Sequence, residues 1–144
     1  MPHAQAFQVP AELTVKNEEP GKKCNINFEL LTQSPISRVF EPEHAVSLNV
    51  QQTEPTPARL DGNFQPWLSA WILPLPHHYH GVSGTDGTFK IENLPIGKWE
   101  FQTWQERTGY LHTKNWKRGR FTVEIKPGEN DLGEIRLEPR QFNR

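Results

Sequence analysis

Short runs of alternating apolar and polar residues, each closed by a turn sequence, constrain the fold of this chain most strongly. A two-residue period places apolar side chains on one face of a strand and polar side chains on the other. The pattern therefore predicts an all-β protein built from antiparallel sheets, each with one solvated face. The apolar positions of these runs are Leu13 and Val15; Ile26, Phe28 and Leu30; Val46, Leu48 and Val50; Phe89 and Ile91; Trp99 and Phe101; Phe121, Val123 and Ile125; Ile135 and Leu137.

Turn-forming residues separate these runs along the whole chain. The 13 prolines and 10 glycines are scattered rather than clustered, which is typical of an all-β chain with many turns. Asp86-Gly87 predicts a tight hairpin, and Pro95-Ile96-Gly97 predicts a turn between two strands. The polar segment 51–62 contains two prolines and has little apolar surface to bury, so it predicts a long loop or a domain boundary.

Charge and hydropathy exclude several classes of partner. Lysine and arginine number 16 against 17 aspartates and glutamates, a balance that does not favour nucleic acid or an anionic membrane. No apolar run approaches the length of a membrane span. The first residues lack the basic and apolar regions of a secretory signal. We therefore expect either a cytoplasmic protein or a true start that lies upstream.

The second half of the chain carries two motifs in a fixed order. The first is a hairpin that contains Thr85, Asp86, Gly87, Phe89 and Ile91, and the second is a turn and strand with Leu94, Pro95, Gly97, Trp99 and Phe101. Together with the closing segment 121–137, this order resembles the carboxypeptidase-regulatory-like, transthyretin-like β-sandwich. The resemblance implies an antiparallel β-sandwich over residues 69–144.

The first half has a weaker likeness, centred on Pro66-Trp67. It resembles a bacterial cupredoxin-like group in which a copper-binding β-barrel runs directly into such a sandwich. The group's cysteine, histidine and methionine ligands match Gly62, Gln65 and Leu68 here, and segment 22–25 lacks the usual first histidine. A blue-copper centre needs two imidazoles, a thiolate and a weak axial ligand. The resemblance thus implies a reduced barrel over residues 1–68, without a blue-copper centre.

That same resemblance carries expectations about location and assembly. The group is extracytoplasmic, which implies a periplasmic or secreted protein. The likeness begins inside the group's first half, which implies a shortened N-terminus. Strands that lack their usual neighbours would expose unpaired edges, and such edges bind other chains. We therefore expect a protein partner or a homo-oligomer formed through these edges.

Three of the six histidines lie within residues 77–80. On a strand, His78 and His80 would share a face, and two imidazoles at this spacing bind copper or zinc when a further ligand is near. His77 completes the cluster, and the candidate further ligands are His112, Glu106 and Asp86. The alternative is a solvated loop ahead of a hairpin, in which the histidines hold no cofactor.

Four residues of the second half are candidate binding positions: Trp104, Glu106, Trp116 and Arg118. The first two lie where the resembled group has Trp-His-Glu. The other two belong to the basic segment 114–120, which could hold a phosphate or stack on a base. The alternative for this segment is a polar loop that packs its tryptophan while the cations extend into water.

Two further residue types are expected to be structural. Cys24 follows two lysines, which would lower a thiol pKa, but a free cysteine is more often a packed residue. The tryptophans are expected in the sandwich core, because large aromatic side chains usually contribute to it. These tryptophans are Trp67, Trp71, Trp99 and Trp104.

The sequence carries no motif for catalysis. It has no Ser-His-Asp order, phosphate loop or zinc-protease helix, and no defensible pair of carboxylates for acid–base work. We therefore predict a non-catalytic binding or structural module rather than an enzyme. Two alternatives remain, a copper- or zinc-binding protein that uses the histidine cluster, and an accessory domain that docks on a partner protein.

Overall fold

The regular structure consists of β-strands and one turn of 3-10 helix. The computed structural model describes residues 3–65 and 67–142. Within these ranges there is no α-helix, so the predicted all-β class is confirmed. No helix of the described part is long and apolar enough to cross a membrane. The chain divides into two compact units, Met1–Ile91 and Glu92–Arg144.

The described residues of the first unit form seven strands in two sheets. They are β1 (Ala4–Gln8), β2 (Ala11–Lys16), β3 (Cys24–Phe28), β4 (Ile36–Phe40), β5 (Ala45–Val50), β6 (Ala58–Asp61) and β7 (Ser69–Leu75). A five-stranded sheet has the order β1-β7-β6-β3-β4, and β2 pairs with β5 in a separate antiparallel ladder. The β1–β7 pair is parallel, and the other pairs are antiparallel.

The core of the first unit lies between these two sheets. Alternate residues of β7 are buried, as are Ile26 and Phe28 of β3 and Leu48 of β5. Leu13 and Val15 of β2 pack against the same cluster. Two layers that bury a shared apolar face form a sandwich-like arrangement. The five-stranded sheet does not close into a barrel, since β1 and β4 each pair on one side only within the described ranges.

The second unit is smaller, and its residues up to 142 form two antiparallel pairs. Its strands are β8 (Gly97–Gln102), β9 (Trp104–Gln105), β10 (Gly109–Tyr110) and β11 (Arg120–Ile125), followed by the 3-10 helix Pro139–Phe142. In the β8–β11 ladder Phe101 lies opposite Phe121, and in the short hairpin Trp104 lies opposite Tyr110. This unit therefore consists of two small ladders joined by turns.

The observed division of the chain differs from the predicted one. The predicted boundary falls between residues 68 and 69, whereas the two compact units meet between Ile91 and Glu92. The reason is that β7 pairs with both β1 and β6, so the first unit needs residues beyond 68 to complete its sheet. The buried cluster described above belongs to the first unit, and the sandwich expected over residues 69–144 stays a prediction.

Candidate functional site

Residues 62–65, 67 and 68, here called the aromatic loop, lie between β6 and β7 and contain the positions matched to copper ligands. The Gly62 N–H donates to the Leu68 carbonyl at 3.2 Å, and the Leu68 N–H donates to the Gln65 carbonyl at 2.9 Å. The Leu68 side chain packs against the core of the first unit. The loop is therefore closed at its base and anchored by an apolar side chain.

Two buried amide side chains hold the backbone of the aromatic loop. Asn25, which is 4% exposed, accepts hydrogen bonds through Oδ1 from the Asn63 N–H at 2.8 Å and the Phe64 N–H at 2.9 Å. Gln65, which is 8% exposed, donates from Nε2 to the Lys23 carbonyl at 2.9 Å. These hydrogen bonds restrict the loop to one conformation, although Gln65 Oε1 is buried with no hydrogen-bond partner in the described structure. The loop is thus preorganised by β3.

Two aromatic side chains of this loop face solvent. Phe64 is 56% exposed and Trp67 is 73% exposed. The expectation that Trp67 belongs to the core is wrong, because Gln65 and Leu68 take the inward positions of the loop. The other three tryptophans of that expectation, Trp71, Trp99 and Trp104, are half-buried.

A row of neutral polar groups lies beside the loop. The Ser37 hydroxyl donates to Asn27 Oδ1 at 2.7 Å, and Asn27 Nδ2 donates to Asn63 Oδ1 at 3.0 Å. Ser37 and Asn27 are opposite one another in the β3–β4 register. Because their neighbours Ile26 and Phe28 point into the core, these two side chains lie on the outer face of the sheet.

The histidine cluster follows β7 in the first unit. His77 and His78 are exposed and His80 is half-buried. The ring of Tyr79 lies 4.2 Å from that of His78 and 5.7 Å from that of His77, measured between centroids. Among the described residues, no three His, Cys, Asp or Glu side chains are grouped so that they could hold a metal ion. The arrangement therefore does not favour a copper or zinc site, which stays a prediction.

His80 gives the first unit a predicted dependence on pH. Burial lowers the pKa of His80 below its ordinary 6.5, the charges of His77 and His78 lower it further, and a backbone hydrogen bond with Ala6 opposes them. Its Nδ1 is buried with no hydrogen-bond partner in the described structure. The unfolded chain then binds a proton more tightly than the folded one, so stability is complete above 6.5 and falls as the pH drops toward the folded pKa.

Urea unfolding of wild-type protein and of His80→Gln at about pH 8 and about pH 5.5 checks this dependence. We expect the wild type to lose stability at the lower pH, and the variant to lose less. The exposed His112→Gln serves as control and should behave as the wild type. An equal loss in wild type and His80→Gln would show that other groups govern the dependence.

Two of the predicted binding residues, Trp116 and Arg118, lie in the turn before β11. The Trp116 ring stacks on Phe121, with centroids 4.3 Å apart and planes 13° apart. Arg118 is exposed, and its carbonyl accepts a hydrogen bond from Gln102 Nε2 at 3.0 Å. Because one face of the indole is taken up within the chain, this geometry favours the packing alternative over stacking on a base.

The other two, Trp104 and Glu106, lie in the β9–β10 hairpin. Trp104 is half-buried on β9, and Glu106 is exposed in the turn. The Gln105 Oε1 atom accepts hydrogen bonds from the backbone N–H groups of Arg107 and Thr108, at 2.8 and 3.0 Å. Gln105 thus caps its own turn, at the position where the resembled group has histidine.

Cys24 is half-buried at the start of β3 and packs against the core of the first unit. Burial raises the pKa of its thiol, and the negative charge of Glu19 raises it further. The neighbouring lysines therefore do not activate it, since the thiolate is the reactive form.

The comparisons with known proteins leave the site to be judged on its geometry. No family model, no curated protein and no solved structure matches this chain. The aromatic loop was not among the candidate sites predicted from the sequence. Its signal was an uncharged segment with two aromatic residues, Phe64 and Trp67, between two stretches with apolar residues.

Proposed function

We propose that this chain is a non-catalytic binding module that engages its partner through the aromatic loop. The observation that carries the proposal is the exposure of Phe64 and Trp67 on a loop whose backbone is held by Asn25 and Gln65. A loop that is already ordered loses little conformational entropy on binding. Exposed tryptophan is also the side chain that most often dominates a binding interface.

The resemblance to copper proteins supports the proposal that this module derives from a cupredoxin-like protein. The three positions matched to copper ligands all fall in the aromatic loop and have other roles there. Gly62 has no side chain, Gln65 bonds to the backbone, and Leu68 packs against the core. This set cannot bind copper as a blue centre does. The proposed module therefore derives from a cupredoxin-like protein, has lost electron transfer, and retains the loop as a binding surface.

The double variant Phe64→Ala, Trp67→Ala tests the proposal. We expect it to unfold at nearly the wild-type urea concentration, because truncation of exposed side chains costs within about 0.5 kcal/mol. Binding should weaken by at least about tenfold, because two central aromatic contacts are lost. The control is Leu31→Ala, which removes an apolar side chain that is 70% exposed and lies outside the loop.

The measurement is retention of each purified variant on three immobilised probes: polysaccharides, envelope proteins and the protein itself. The proposal expects at least one probe to retain the wild type and Leu31→Ala but not the double variant. Equal retention of the double variant, or no retention on any of the three probes, would overturn it.

A further inference from the structure

The exposed area of the aromatic loop limits the size of its partner. A large aromatic residue offers about 200 Å², so Phe64 and Trp67, which are 56% and 73% exposed, present roughly 250 Å² together. A stable protein interface buries about 800 Å² on each partner. The exposed area of Phe64 and Trp67 is therefore small for a protein partner, and it suits a ligand made of a few ring-shaped units.

The charges around the aromatic loop indicate an uncharged ligand. Residues 62–68 contain no ionisable side chain. Asp61, directly before the loop, pairs with Arg59 at 3.7 Å. Lys23, whose carbonyl binds Gln65, pairs through its ammonium with Glu41 at 2.7 Å. Because these charges are already compensated, a nucleotide or an acidic polymer gains little attraction here.

The polar groups beside the loop match hydroxyl-rich ligands. An amide side chain offers two donors and an acceptor, and a hydroxyl group both donates and accepts. The row formed by Ser37, Asn27 and Asn63 ends at Asn63, which is exposed and whose Nδ2 takes no part in the row. A row of hydroxyl and amide groups on the outer face of the sheet therefore ends at the residue directly before Phe64.

We propose that the aromatic loop binds a neutral polysaccharide, an inference that rests on the proposed function. The apolar C–H face of a sugar ring packs on the rings of Phe64 and Trp67 and is thereby removed from water. The hydroxyl groups at the sugar's edge exchange hydrogen bonds with Asn63. No covalent step is involved.

Electrophoresis of the full chain in native gels tests this inference, with hydroxyethylcellulose, xylan or glycogen cast in the gel. At least one neutral polysaccharide should retard the wild type and Leu31→Ala equally. The affinity should fall at least about tenfold for Trp67→Ala. It should fall less for Asn63→Ala, which keeps both rings but removes the terminal amide. Alginate, an acidic polysaccharide, should cause no retardation.

Four outcomes would overturn the inference. Retardation by alginate alone would show that the ligand is charged, and undiminished retardation of Trp67→Ala would place the sugar elsewhere. If no neutral polysaccharide retards the protein while an immobilised protein retains it through Trp67, the proposed function stands and the sugar ligand is rejected. If neither probe binds, both proposals fail together.

Discussion

Replacement of Asn25 by leucine is expected to lower the free energy of unfolding of the first unit by about 2–4 kcal/mol. Leucine has nearly the same volume but offers no acceptor. The N–H groups of Asn63 and Phe64 then lose their partner next to a position that is 4% exposed. Both hydrogen bonds are part-buried, so each unsatisfied donor costs about 1–2 kcal/mol, the lower part of the range for buried groups.

Urea unfolding followed by far-ultraviolet circular dichroism measures this loss. The matched control is Asn27→Leu, which lies two residues along the same face of β3 and removes only the side-chain bonds to Ser37 and Asn63. We expect the control to lose about 1 kcal/mol. If both variants unfold at the same urea concentration, Asn25 does not hold the aromatic loop, and the preorganisation argued for this loop is wrong.

The sequence predicted the strands whose pairing needs only one buried face. Strands β2, β5, β8 and β11 follow the alternation of Leu13–Val15, Val46–Val50, Trp99–Phe101 and Phe121–Ile125. In these strands the two-residue period is complete, and each is paired in an antiparallel ladder. The local pattern was therefore sufficient to place them.

Strand β6 was missed, because its pairing depends on distant partners. Residues 58–61 carry a single large apolar residue and lie in a segment that was predicted as a loop. They form a strand because β3 and β7 pair with both of its edges. Strand propensity is strongly dependent on such context, so no local pattern could have placed β6.

Two predicted strands do not form. Apolar and polar residues alternate over Phe89–Ile91 and Ile135–Leu137, but neither segment is a strand. The sequence predicted a tight hairpin at Asp86-Gly87, but only its turn is present, in which the Asp86 carboxylate accepts a hydrogen bond from the Thr88 N–H at 3.0 Å. A turn and two or three alternating residues do not make a ladder without a partner strand to bury the apolar face.

Local sequence patterns also failed to predict the candidate site. The histidines were candidate metal ligands because imidazole binds metals, yet the described part of the chain does not group them as ligands. The side chains of Phe64 and Trp67 have no metal-binding group, and an aromatic residue is more often buried than exposed. Their exposure follows from the path of the loop between β6 and β7, which is fixed by Asn25 from another strand. That contact spans 38 positions in sequence, so sequence patterns did not reveal it.

Replacement of Gly119 by alanine is expected to destabilise the second unit by about 2–5 kcal/mol. Gly119 has a φ of +72°, and its carbonyl accepts hydrogen bonds from the Thr103 N–H at 2.9 Å and the Thr103 hydroxyl at 3.2 Å. A Cβ at this position would lie well inside contact distance of the Thr103 carbonyl oxygen. That oxygen also accepts a hydrogen bond from the Leu111 N–H. Thr103 is therefore held by both Gly119 and Leu111, and moving it away would break these hydrogen bonds.

Gly109→Ala separates the clash from the backbone strain. Gly109 has nearly the same φ, +71°, but a Cβ added there meets no atom within 4 Å. The Gly109→Ala variant should therefore be destabilised only by the strain of alanine at a positive φ, about 1–2 kcal/mol. Thermal unfolding of the two variants should give a clearly lower midpoint for Gly119→Ala. Equal midpoints would mean that Thr103 yields, and that the approach of this turn to Thr103 does not support the second unit.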